Sequence, residues 1–183
     1  PEIRMESDSL FRAEAERGIC KVICFSPRHD LSVTNMPLEA VAGVVAVWKR
    51  EYVAFQTHPD IAYAQIFENK GAIMGCSNPH PHCQIWASSS IPSIVELEQQ
   101  HQQRYLLENG TPLLLDYLDR ELQQGLRIVH ENDHFVVIVP FWAVWPFETM
   151  ILPRRHITSI GQFSGSEIRA FADAYRSLAR AYD

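Results

Sequence analysis

His80, His82 and Gln84 stand at alternate positions in the stretch Ser77-Asn78-Pro79-His80-Pro81-His82-Cys83-Gln84, just ahead of the apolar Ile85-Trp86-Ala87. In an extended chain alternate side chains share a side, so the three make one polar row. Pro79 and Pro81 withhold backbone donors, which predicts a rim or edge strand and not a central one. A neutral imidazole is a competent nucleophile near neutral pH because its ordinary pKa lies close by. Attack on phosphorus would give a phospho-imidazole that stays reactive, dividing one transfer into two easier steps. His82 is the candidate nucleophile; taken as a lone histidine it could equally be structural or bind a metal. Gln84 offers amide donors to phosphate oxygens yet does no acid–base work, which favours transfer over hydrolysis. A plain surface glutamine is the other reading of that residue.

His29 and His80 each follow a short apolar stretch and a proline, and tetrahedral zinc accepts imidazole readily, so these two are the metal candidates. Cys20 and Cys24 do not complete a ligand set, because at i, i+4 on a strand they lie apart along it; they read as small core hydrophobes. Gly71, Gly75, Cys76 and Ser77 would let the backbone approach an anion, with Asn69 and Lys70 close by. His101, His130, His134 and His156 read as solvated or structural.

The elements that must position these residues are marked along the chain. Residues 1–18 are charged and without a period, which predicts a surface course. Lys21 to Ser26 is a β-prone run ended by Pro27-Arg28-His29-Asp30. A helix is predicted from Met36 to Phe55 with Asn35 as N-cap, and Val41, Val44, Val45, Trp48 and Tyr52 fall on one face of it. A strand from Ala62 to Phe67 leads into the glycine loop. Ser93-Ile94-Val95-Glu96 spells a capping box for a helix stopped by Asn109-Gly110; Thr111-Pro112 opens another, with Gly125 as its stop. Strands are predicted at Arg127–His130, Phe135–Pro140 and Trp145–Leu152. A second capping box, Ser164 to Glu167, precedes a closing helix from Ile168 to Tyr182. The runs CKVICFSPRHD and ETMILPRRHIT, each leading into a helix, form a weak internal repeat. The fold expected is α+β, an antiparallel sheet with flanking helices, one complete unit over residues 1–110 and part of a second over 111–183.

Composition narrows the classes. The chain has 183 residues, 46% of them hydrophobic and 21% charged, ordinary for a protein that buries a core. A formal charge of −6 argues against unspecific binding to nucleic acid or to an anionic membrane. No apolar run approaches the ~20 residues that span a bilayer. Four irregularly spaced cysteines do not form a disulfide framework, so a reducing, cytoplasmic setting is expected.

At FENKGAIMGCSNPHPHCQIWAS, residues 67–88, the sequence resembles the galactose-1-phosphate uridylyltransferases of the histidine-triad superfamily. CKVICFSPRHD, SNPHPHCQIW, VPFWAVWPFETMILPRRH and the closing helix occur in that family's order from Gly18 onward. The resemblance implies a histidine-triad-like fold and transfer of a uridylyl group from UDP-glucose to galactose 1-phosphate, giving UDP-galactose, in galactose metabolism. It implies that His82 becomes uridylylated, that Gln84 holds the phosphoryl oxygens, and that Asn69, Gly75, Cys76 and Ser77 line the substrate site. It implies zinc on His29 and His80 with two cysteines from upstream of Pro1. Iron is implied on Glu98, with histidines from beyond Asp183, and a homodimer for the intact protein. On this resemblance the chain is a central fragment. The alternatives are a dinucleoside polyphosphate phosphorylase or hydrolase of the same superfamily, and an inactive nucleotide-binding fragment.

Overall fold

The computed structural model describes Leu10, residues 15–76 and residues 78–183. Ser77 and the expected surface course of most of residues 1–14 lie outside the described residues.

The first unit is β1 (Gly18–Cys24), α1 (Leu38–Gln56), β2 (Tyr63–Phe67) and β3 (His82–Ser88). Its sheet has the order β1-β3-β2, antiparallel throughout, so β3 is flanked on both sides. This corrects the edge-strand expectation. Pro79 and Pro81 precede the ladder and do not sit within it, and they cost it no donor. Pairing even extends past the strand, because Phe25 donates its backbone N–H to the Pro81 carbonyl at 2.8 Å.

Alternation along β3 divides its side chains. Cys83, Ile85 and Ala87 are buried against α1, while His82, Gln84 and Trp86 face the open side. Cys20 and Cys24 are both exposed, not in the core as expected. They share the open face with His82, since Cys24 pairs with His82 and Cys20 with Trp86. The inward positions of β1 belong to Ile19 and Ile23, and to Lys21, whose stem lets its ammonium reach Glu51 at 2.6 Å on α1.

Helix α1 turns the predicted face inward: Val41, Val44, Val45 and Trp48 are buried, with Tyr52 half-buried. Its N-cap is Pro37 and not Asn35. Asn35 instead closes the preceding turn, its Oδ1 accepting from the Ser32 backbone N–H at 2.7 Å.

Two helices come next, α2 (Ser93–Asn109) and α3 (Leu113–Gln124), both ended by a left-handed glycine, Gly110 and Gly125. The Ser93 capping box does not form. Pro92 occupies the N-cap, which places Ser93 inside the first turn, where its side chain cannot cap. Strands β4 (Ile128–Glu131), β5 (Phe135–Ile138) and β6 (Met150–Pro153) follow as a second antiparallel sheet in the order β4-β5-β6. The expected start of the last strand at Trp145 is corrected to Met150. Residues 145–148 turn instead: Glu148 accepts the amides of Val144 and Trp145 on its carboxylate, and Phe147 sits at φ +64°.

Helix α4 (Gly165–Tyr182) has its capping box intact, Ser164 and Glu167 each satisfying the other's backbone N–H. All four residues of β5 are buried, because helices cover both faces of that strand. Val136 and Ile138 pack with Leu118 of α3. Phe135 and Val137 join Phe163, Ala172 and Leu178 in the core that also holds Val45, Trp48 and Cys83 of the first unit. The units therefore share a core through α1 and α4. Among the described residues no helix is long and apolar enough to cross a membrane.

Candidate active site

The open face of the first sheet assembles one row per strand. Opposite His82 stands Cys24; opposite Gln84 stand Val22 on one side and Phe67 on the other; opposite Trp86 stand Cys20 and Gln65. Cross-strand partners point the same way, so these side chains form a continuous surface. The rings of Phe67 and Trp86 meet edge to face with centroids 5.4 Å apart.

Among the described residues, His82 is held by one directional contact. Its Nδ1 lies 2.7 Å from the His80 carbonyl oxygen. A carbonyl only accepts, so Nδ1 carries the hydrogen in the neutral ring and Nε2 keeps the lone pair. Gln84 is read by the same logic. Indole Nε1 only donates, and it lies 3.3 Å from Gln84 Oε1, so the oxygen of that amide is engaged and, among the described residues, its nitrogen keeps both hydrogens to offer an anion. Beneath the row, Cys83 accepts from Trp48 Nε1 at 3.1 Å, and burial pushes its thiol up to about 11. It is a packed, unreactive thiol.

The approach to His82 is the loop after β2. Asn69 is half-buried there. It lies two residues beyond the last laddered pair, Phe67 with Gln84, so the register carries it towards His82. Gly71 and Gly75, at φ +88° and +80°, enclose a single 3-10 turn at Ala72–Met74. Both conformations favour glycine, and the turn brings Cys76 back to donate its amide to the Gly71 carbonyl at 3.2 Å. The Cys76 thiol donates to the Asn78 carbonyl at 2.9 Å, and Asn78 Oδ1 receives the His80 amide at 3.0 Å. Asn69, Gly75 and Cys76 thus border one loop that ends at His80 and His82.

His80 turns away from the row. Its Nε2 lies 2.8 Å from the Ser26 carbonyl, so Nε2 donates and Nδ1 is left with its lone pair. His29 is exposed on the loop that begins at Ser26, so the two histidines belong to adjoining segments. On either side of His29 in sequence, the Arg28 guanidinium holds the Asp30 carboxyl down to about 2, a local ion pair on the same loop. Among the described residues no group of three or more His, Cys, Asp and Glu could hold a metal ion. Glu98 lies towards the end of β3 away from His82. It is exposed on α2 and its charge acts on Tyr63, which pairs with Ser88. Six residues of strand separate Ser88 from His82, about 20 Å at ~3.3 Å each.

His130, read as solvated or structural, lies 3.3 Å from Asp173 and bridges β4 to α4. Two residues near the site escaped sequence reasoning. Trp86 fixes the Gln84 amide. Glu68 follows Ala64 and Ile66 on the inward side of its strand, where the Tyr175 hydroxyl donates to it. A carboxylate on the apolar side of a strand was the available signal, since such a group needs a partner.

Known proteins resemble this chain in sequence and in fold. Residues 1–92 match the family model for the N-terminal domain of galactose-1-phosphate uridyl transferase, and residues 98–183 match the model for its C-terminal domain. The galactose-1-phosphate uridylyltransferase of Rattus norvegicus is 44% identical over 174 residues, covering 95% of this chain and 45% of the relative. That of Haemophilus influenzae is 41% identical over 183 residues, covering 100% of this chain and 52% of the relative. The chain spans about half the length of the curated relatives it matches. Among solved structures, a uridylyltransferase superposes with a TM-score of 0.83 at 28% identity, covering 87% of this chain and 51% of the other. An ADP-glucose phosphorylase from Arabidopsis thaliana, 24% identical with a TM-score of 0.80, covers 88% of this chain and 50% of its own, and shares the fold.

Proposed function

The chain belongs to the galactose-1-phosphate uridyl transferase family, and from that premise we propose that it transfers a uridylyl group from UDP-glucose to galactose 1-phosphate through a covalent adduct on His82. What supports the reading most is the pairing on one strand face of an imidazole with Nδ1 tied to a carbonyl and an amide whose two hydrogens have no partner among the described residues.

In the first step the Nε2 lone pair attacks the α-phosphorus of UDP-glucose, forming a P–N bond as the bond to the bridging oxygen breaks and glucose 1-phosphate leaves. Nδ1 keeps its hydrogen, and the positive charge that spreads over the ring is stabilised by the His80 carbonyl. In the second step a phosphate oxygen of galactose 1-phosphate attacks the same phosphorus and the P–N bond breaks, giving UDP-galactose and neutral His82. Two in-line displacements give net retention at phosphorus. The Gln84 amide donates to the non-bridging oxygens as charge builds on them, and with no proton to give it does not promote hydrolysis. Asn69, Gly75 and Cys76 line the phosphate and nucleotide site, so positioning supplies much of the rate.

His80 is set as one ligand of a zinc ion would be, although the described residues alone do not make up a metal site. A neutral imidazole with one nitrogen on a backbone carbonyl and the other free is how metal-binding histidines are set, and His80 has that arrangement. His80 and His29 would give the ion two imidazole ligands, and it would fasten together the two adjoining segments that carry them. Glu98, an exposed carboxylate, would give one oxygen ligand to an iron site completed by other residues. A cytoplasmic homodimer is the assembly we assign to the intact protein.

The test is incubation with UDP-glucose radiolabelled in the uridylyl group. An acid-labile label that is lost in His82→Gly supports the reading; a label retained in that variant overturns it. Labelling by diadenosine tetraphosphate in preference to UDP-glucose would move the reaction to a dinucleoside polyphosphate phosphorylase or hydrolase. UDP binding without any label would leave a nucleotide-binding module.

A further inference from the structure

Helix α4 belongs to the second unit, yet it grips the loop of the first unit on both sides of Asn69. One residue before Asn69, Glu68 accepts the hydroxyl hydrogen of Tyr175; one residue after it, Lys70 pairs with Asp183 at the end of the helix. Tyr175 is 107 residues from Glu68 in sequence. Its ring is fixed between Trp48, with centroids 5.7 Å apart, and Phe171, stacked at 6.5 Å. Burial raises the Glu68 carboxyl above its ordinary range, and the Tyr175 hydroxyl is the hydrogen-bond donor that offsets this. The helix is itself anchored to the first unit, Arg169 to Glu39 and the Arg180 guanidinium to the Thr34 carbonyl, both at 2.7 Å.

The geometry has a directional consequence. Ala64 and Ile66 point inward, and Glu68 continues that alternation to reach Tyr175. Glu68 and Asn69 follow the end of β2, and continuing the β2–β3 register past Phe67 and Gln84 sets Asn69 beside His82. Lys70 is exposed and its end is drawn away to Asp183, so the backbone on either side of Asn69 has a fixed point.

We propose that Tyr175 and Asp183 are positioning residues for the transfer reaction: through Glu68 and Lys70 they orient Asn69 towards the phosphates of the sugar nucleotide. The inference rests on the uridylyl-transfer reading, because Asn69 needs a substrate phosphate to contact. A helix from one unit thereby sets the binding loop of the other.

The experiment measures the KM for UDP-glucose, the kcat of transfer and the yield of His82 label at saturating donor. The Tyr175→Phe/Asp183→Asn double variant is expected to raise KM about tenfold while the saturated label yield stays at the wild-type level, the signature of lost binding with intact chemistry. Glu68→Ala should show the same rise, and Glu68→Gln, which keeps an oxygen acceptor for Tyr175, should recover most of it. If the double variant does not fold, as read by its melting temperature, Asp183→Asn alone, at the exposed end of the helix, must raise KM about threefold. Unchanged KM with a normal wild-type label overturns the positioning role alone. Glu68→Gln as impaired as Glu68→Ala overturns it too, because the carboxylate charge itself would then be what matters. A wild-type protein that takes no label overturns the transfer reading, and this inference falls with it.

Discussion

At the scale of single residues, a contact matters here when its partner can play only one role. The His80 carbonyl and the Trp86 indole are such partners, and they settle the His82 tautomer and the Gln84 orientation. Glu167 is a third case. It is 4% exposed, receives two hydrogen bonds from Arg155, and accepts the Ser164 amide at 2.7 Å. Arg155, ahead of the other contacts, holds its carboxyl down at about 2. A carboxyl depressed in the folded state contributes stability that is complete above its unfolded pKa, about 4.3, and is lost as the pH falls from there towards 2. Because Arg155 is half-exposed and solvent screens the pair, the contribution is on the order of 1 kcal/mol. Glu167→Gln should therefore lower the melting temperature at neutral pH, and the gap from wild type should close as the pH is taken from 5 to about 2. Parallel melting curves with a constant gap would count against this. The cap was legible because Ser164 and Glu167 are three apart; the Arg155 contact was not, because it comes from beyond the helix.

At the scale of elements, the readable features were those determined within a few residues. The apolar face of α1 repeats at helical spacing, and Gly110 and Gly125 end their helices as placed. The misread features were those in which a neighbour just outside the pattern decided the outcome. Pro92 shifted the start of α2 by one residue and emptied the Ser93 box. The prolines before His82 looked as if they belonged to its strand, yet stopped one residue short of it. Residues 145–149 are apolar enough for a strand, but Glu148 folds them into a turn. Two glycine substitutions separate local backbone effects from packing. Gly43 lies in the interior of α1 with nothing within 4 Å of an added Cβ, so Gly43→Ala should stabilise by about 0.5–1 kcal/mol. Gly125 is equally open, but its φ is +66°, so Gly125→Ala should destabilise by about 1 kcal/mol. Urea midpoints measure both, and equal signs would refute the account.

At the scale of the whole molecule, the sequence reading expected two related units and left open how they would be joined. The repeat compares β1 with β6 and α1 with α4, and a repeat says nothing about which faces meet. The joint is a common core. Val41, Val45, Trp48 and Cys83 from the first unit lie in one cluster with Phe135, Val137, Ala172 and Leu178 from the second. Ala172 and Ala174 are fully buried, and small side chains there let α4 lie close to its neighbours. Two units that merely touched could unfold separately, whereas units that complete each other's apolar faces must unfold together. Val137 tests this because it lies on β5, in the second sheet, and is fully buried on the side facing the shared core. Val137→Ala should cost about 2 kcal/mol through lost burial and the cavity left behind. If the core is shared, that loss appears equally in amide hydrogen exchange from β3 of the first sheet and from β5 itself, with one urea transition for both. Protection lost in the second sheet while the amides of Cys83 to Ala87 keep theirs would show that the site-bearing sheet stands without the second unit.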